Sequence, residues 1–171
     1  MNASGSLRVW EISGENTSDK FAWLRAGKVV ALLAALLVAV VCPSSAQTVT
    51  TTLGAGTTPS AVAVNVATNK VYVANKGSND VTVIDGATNA TTTVAVGTGP
   101  AAVAVNPATN KIYVANSGSN NVTVIDGATN TTTTVAAGTG PAAVAVNPVT
   151  NRIYVANGGG TVTVINGANN S

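Results

Sequence analysis

The chain has 171 residues, and only 8% of them are charged, against about a quarter in an ordinary globular protein. Beyond residue 28, Lys70, Lys76, Lys111 and Arg152 stand against Asp80, Asp85 and Asp126, a net of +1 that is too small and too dispersed for a nucleic-acid groove. With no His and a single Cys, Cys42, neither a disulfide framework nor the usual acid–base constellations are available.

Residues 1–28 are polar and unpatterned and carry half of the basic residues: Arg8, Lys20, Arg25 and Lys28. Val29 to Val41 is a run of 13 apolar residues, followed by Cys42-Pro43-Ser44-Ser45-Ala46-Gln47. A basic n-region, an apolar h-region over 29–41 and a small-x-small site ahead of Gln47 read together as a signal peptide over 1–46. The run is shorter than the roughly 20 apolar residues that span a bilayer. An uncleaved anchor is the alternative, and membrane contact is expected only in that case. Val41 stands where a lipoprotein signal needs a small residue before its Cys, and there is no Arg-Arg pair for twin-arginine export.

From residue 47 the composition becomes that of strands, rich in Val, Thr and Ala. The text repeats with a period of 41: residues 59–99 and 100–140 share 34 of 41 positions, and a third copy runs over 141–171 with one residue deleted at Gly158-Gly159-Gly160. A period of about 40–45 residues with four strands per unit indicates propeller blades. In the middle unit the strands are expected at Ala101–Asn106, Lys111–Asn116, Asn121–Asp126 and Thr131–Ala136. Turns are expected at Asn106-Pro107-Ala108-Thr109-Asn110, Ser117-Gly118-Ser119-Asn120 and Asp126-Gly127-Ala128-Thr129-Asn130, where Pro sets φ and Asn tolerates the left-handed region. Both faces of each strand carry small apolar side chains. A lone antiparallel sheet keeps one wet face; a sheet stacked between two others does not, and blades stack in that way.

The phase of the repeats is informative. At offset 41, Thr50 to Thr58 matches the fourth strand and its exit, Thr91 to Gly99, while the third copy stops before a fourth strand. The order over 47–171 is therefore a fourth strand over 48–58, then 59–99, 100–140 and 141–171. The expected fold is all-β: three four-stranded antiparallel blades in permuted order, a partial propeller or a ring completed by oligomerisation. Closed propellers have about 4–8 blades, so three leave two bare faces. If each face is about 800 Å², it exceeds the apolar patch a soluble monomer tolerates. Two accounts follow: a six-bladed homodimer, or a fragment of a longer propeller without independent function.

The segments Tyr72-Val73-Ala74-Asn75, Tyr113-Val114-Ala115-Asn116 and Tyr154-Val155-Ala156-Asn157 each follow an Ala-Val-Ala-Val-Asn strand and precede Val-Thr-Val-Ile-Asp/Asn. With this spacing the region 48–171 resembles the YVTN family of β-propeller repeats, named for Tyr-Val-Thr-Asn, with Ala here in place of Thr. The resemblance implies a seven-bladed or similar propeller, usually extracytoplasmic, with a role in surface structure or interaction. It supplies no catalytic residue to transfer.

The recurring polar residues each admit a functional and a structural reading. Asp85 and Asp126, with Asn166 third, precede Gly; calcium would need several converging oxygens, and an Asp-Gly turn explains them without metal. The rows Asn65, Asn106, Asn147 and Asn75, Asn116, Asn157 form polar rings or cap strand ends through backbone bonds. Tyr72, Tyr113 and Tyr154 form a stacking ladder for a ligand or, as large side chains, pack one blade on the next. Lys70, Lys111 and Arg152 recur at one position and read as a mildly basic rim or as solvated cations at a strand start. Gly158-Gly159-Gly160 lacks the Lys and helix of a phosphate loop. No catalytic, metal or cofactor-binding residue is expected, and no cofactor. The expected function is an exported, non-catalytic module for cell-surface structure or protein interaction, partnered by copies of itself or by other surface proteins. The alternative is a ligand-binding or enzymatic propeller using its central channel.

Overall fold

The computed structural model describes residues 50–171. The segment read as a signal peptide, 1–46, lies outside them. Among the described residues, eleven strands form three antiparallel sheets. The first sheet holds β1 (Pro59–Asn65), β2 (Lys70–Asn75), β3 (Asp80–Asp85) and β4 (Thr91–Ala95) in sequence order. The second holds β5 (Pro100–Asn106), β6 (Lys111–Asn116), β7 (Asn121–Asp126) and β8 (Thr132–Ala136). The third holds β9 (Pro141–Asn147), β10 (Arg152–Asn157) and β11 (Thr161–Asn166), with three strands only. These are propeller blades: up-and-down meanders whose first strands, β1, β5 and β9, lie side by side.

The turns follow from Asn. Asn69, Asn110 and Asn151 reverse the chain between the first and second strands at φ of 52°, 53° and 50°. Asn89 and Asn130, both at 61°, do so between the third and fourth. Asn populates this left-handed region more readily than other non-Gly residues because its short amide bonds locally. Gly99 and Gly140, at φ 65° and 64°, make the crossing between blades, and Thr58 holds the same place before blade 1 at φ 52°.

Strand bounds differ slightly from the sequence expectation. Pro100 begins β5, opposite Asn116 across a bulge; Pro is admissible at a strand's first residue, where no ladder N–H is required. Thr131 falls outside β8 because the return bond of the ladder is lost to the turn: the Asp126 carbonyl accepts the Asn130 N–H at 2.8 Å, and the Thr131 N–H donates to Thr129 Oγ1 at 3.4 Å. Of the segment 48–58, read as the fourth strand of the third blade, residues 48 and 49 lie outside the described residues; residues 51–58 form no strand within one copy, where they lie at the opposite end of the arc from the third-blade edge they match.

The core consists of the two gaps between blades. Between blades 1 and 2, Tyr72, Val81, Val83 and Val94 meet Ile112, Val114 and Ile125. Between blades 2 and 3, Tyr113, Ala115, Val122 and Val124 meet Ile153, Val155 and Ile165. Blade 2 thus buries both faces, as its two-sided apolar pattern requires.

Candidate functional site

The repeated polar side chains serve architecture. Asn75 sits at the end of β2, fully buried, and its Nδ2 donates to Asp80 Oδ1 at 2.6 Å and Thr82 Oγ1 at 2.9 Å. Asn116 repeats this with Asn121 Oδ1 and Thr123 Oγ1, and Asn157 with Thr161 Oγ1 and Thr163 Oγ1. These asparagines clamp the second strand to the third through side chains, rather than capping strand ends through the backbone. The other row works differently. Asn65 Oδ1 accepts the Ala67 N–H of its own turn, while its Nδ2 reaches the next blade and donates to Asn110 Oδ1 at 2.9 Å. Asn106 likewise donates to Asn151 Oδ1 at 2.8 Å. The row is therefore a ladder between blades. Sequence reasoning missed the accepting members, Asn110 and Asn151; their only signal is recurrence at the repeat period in a turn.

Asp85 Oδ1 accepts from the N–H groups of Ala87 and Thr88 and from Thr88 Oγ1, an Asx turn that holds its carboxyl below the usual range. Asp126 is lowered to about 2, first by the Lys111 ammonium at 2.7 Å and then by the Ala128 and Thr129 N–H groups. Both carboxylates are thus held by turn donors. The cations are engaged too. Lys111 pairs with Asp126, and Lys70 Nζ donates to the Gly127 carbonyl of the next blade at 3.0 Å. Lys70 and Lys111 therefore tie blade to blade and turn to strand, which corrects the reading as merely solvated cations.

Tyr72 and Tyr113 are fully buried between blades, and burial pushes both phenols up. Their hydroxyls have no hydrogen-bond partner among the described residues. Tyr154, at the same repeat position, is 42% exposed. The difference comes from the neighbour: among the described residues, no blade stacks on the outer face of blade 3. Val162 and Val164 there are 61% and 48% exposed, where their counterparts Val122 and Val124 are buried. Tyr154, Ala156, Val162, Ala143 and Ala145 line a shallow apolar groove of about 230 Å³ on this face. At the other end, Val62 and Val64 of blade 1 are 64% and 55% exposed, while Val103 and Val105 pack into the gap between blades 1 and 2. Among the described residues, the apolar surface offered for contact is therefore the outer faces of blades 1 and 3, and blade 3 lacks the fourth strand that lies on the outer edge of the third strand in the other two blades.

No protein-family model and no curated protein sequence matches the chain. Solved structures do. Hydrazine synthase of Kuenenia stuttgartiensis superposes with a TM-score of 0.64 at 24% identity, covering 72% of this chain and 37% of that one. U3-55K superposes with a TM-score of 0.63 at 12% identity over 69% and 38%. A functionally unknown protein from Desulfotomaculum acetoxidans DSM 771 gives 0.59 at 18% identity over 68% and 40%. The chain spans well under half the length of each. Hydrazine synthase and U3-55K are propeller folds, so the likeness establishes the fold: an all-β arc of propeller blades.

Proposed function

We propose that this chain is an exported, non-catalytic propeller module of the YVTN type that acts in cell-surface structure or protein interaction. The observation that carries the reading is the use of its polar groups. The recurring Asn and Asp side chains and two of the three strand-start cations are bonded within or between blades, and the outer faces of blades 1 and 3 present the apolar side chains Val62, Val64, Tyr154, Val162 and Val164. Such a surface suits contact with other blades or proteins rather than proton transfer, which needs a titratable group free to reach a substrate. Export rests on the composition of 1–46, with its basic residues, apolar run and Ala46-Gln47 junction.

The test is fractionation of cells producing the full chain with a C-terminal tag, followed by N-terminal sequencing. The expected product lies outside the cytoplasm and begins at Gln47. A cytoplasmic product that retains Met1 contradicts the reading.

A further inference from the structure

The two bare faces of the arc are the two halves of a junction the chain already makes twice. The outer face of blade 3 carries Tyr154, Val162 and Val164, the counterparts of the set that blades 1 and 2 bury against the next blade. The bare face of blade 1 carries Val62 and Val64, the counterparts of the valines that receive such a set on blades 2 and 3. We propose that two copies associate head to tail into a six-bladed ring, and that Thr50–Gly54 of each copy becomes the fourth strand of the other copy's third blade.

The segment before β1 is already placed for this. Thr57 N–H donates to Ser78 Oγ at 3.1 Å, as Thr98 N–H does to Ser119 Oγ at 3.0 Å one blade later. Lys76 and Gly77 donate to the Thr58 and Thr57 carbonyls at 2.9 Å each, as Ser117 and Gly118 do to Gly99 and Thr98. Residues 56–58 thus sit on blade 1 as 97–99 sit on blade 2. In the latter case the residues just upstream are β4, a strand of the preceding blade. Among the described residues, no blade precedes 56 in one copy, and β11 has no strand on its outer edge. The pairing of β7 with β8 fixes the register: Thr123 faces Thr134 and Val122 faces Val135. Carried over by the repeat, Thr163 faces Thr52 of the partner subunit, and Val162 faces Leu53 of the partner subunit. The polar ladder continues in the same step. Asn65 donates to Asn110 and Asn106 to Asn151, so Asn147 Nδ2 meets Asn69 of the partner subunit.

For the three described blades, two copies close a ring. Propellers close with about 4–8 blades; two three-bladed arcs give six, and three give nine. A head-to-tail contact that closes by a twofold rotation uses both bare faces of each copy and leaves none exposed. This inference stands on the fold, and its failure leaves the export reading untouched.

The test uses the full chain with Cys42→Ser, which removes its single Cys. Two variants are made in that background, Thr52→Cys and Thr163→Cys, refolded together and oxidised. Facing residues in an antiparallel pair lie about 4.5–5.5 Å apart at Cα, within disulfide reach of about 4.4–6.8 Å. The mixture is expected to give a covalent pair on a non-reducing gel, and neither variant alone is expected to do so, because the two copies of each position lie in different junctions. Tyr154→Asp is expected to raise the Kd of association at least tenfold while far-ultraviolet circular dichroism keeps its strand signal; Tyr154→Phe is expected to keep the association. A chain that stays single at every concentration overturns the proposal and leaves the faces to blades of another polypeptide. An open ladder of masses, or linkage by Thr52→Cys alone, overturns it as well.

Discussion

Tyr113 offers the sharpest test of how the blades are held together. It is fully buried between blades 2 and 3, and its hydroxyl has no partner among the described residues. Tyr113→Ala removes a ring from a packed gap and is expected to cost about 3–5 kcal/mol. Tyr113→Phe removes only the hydroxyl. An unpaired buried hydroxyl costs about 1–3 kcal/mol in proteins, whereas the dispersion contacts of one atom return only about 0.1–0.2 kcal/mol per neighbour. Tyr113→Phe is therefore expected to stabilise the protein by about 1 kcal/mol, opposite in sign to the usual loss of a bonded tyrosine hydroxyl. Urea unfolding followed by circular dichroism gives both values from the shift in midpoint at constant m. A loss of 1 kcal/mol or more for Tyr113→Phe refutes the reasoning, since it means that the hydroxyl is bonded. Alkaline pH probes the same site. The phenol's folded pKa is raised by burial, so its contribution to stability is complete below about 10 and is lost as pH rises through the folded value.

Other substitutions address the rest of the framework. Asn116→Ala leaves Thr123 and Asn121 without the clamp that joins β6 to β7 and is expected to cost about 1–3 kcal/mol by urea unfolding; no change shows the clamp to be idle. Thr58→Gly is expected to stabilise by about 0.5–1 kcal/mol, because a β-branched residue is strained at φ 52° where its counterparts are Gly99 and Gly140, and a destabilised variant contradicts that. Asp126, lowered to about 2, adds stability that is complete above about pH 4 and disappears as pH falls toward 2. Asp126→Asn is expected to flatten that limb of an acid titration, and an unchanged limb assigns it elsewhere. Val66→Pro, which copies Pro107 and Pro148 at the same turn position, is expected to raise stability by about 0.4–1 kcal/mol.

Much of the fold is legible in the sequence because each local signal recurs at one period. Asn69, Asn110 and Asn151 mark turns before any contact is known, since few other residues hold their φ, and the alternation in β6 and β7 already requires two dry faces. The tyrosines are readable as packing residues for the same reason. The polar rows are less legible. Asn65 bonds its own turn through oxygen and the next blade through nitrogen, and the second partner, Asn110, lies 45 residues away. No spacing rule distinguishes that from a local cap, because the translation between blades, rather than the chain, brings the two together. Lys70 is similar: its partner, the Gly127 carbonyl, is backbone and leaves no trace in composition. The fourth strand expected at 48–58 is a different case. Its sequence is that of a strand, but a strand exists only with a partner edge, and the edge it matches belongs to blade 3.

The measurement that bears most directly on ring closure is the mass of the purified chain in solution by light scattering over a range of micromolar concentrations. The account predicts the mass of two chains, held constant down to the Kd of the junction. The mass of one chain, with a folded strand signal, contradicts it.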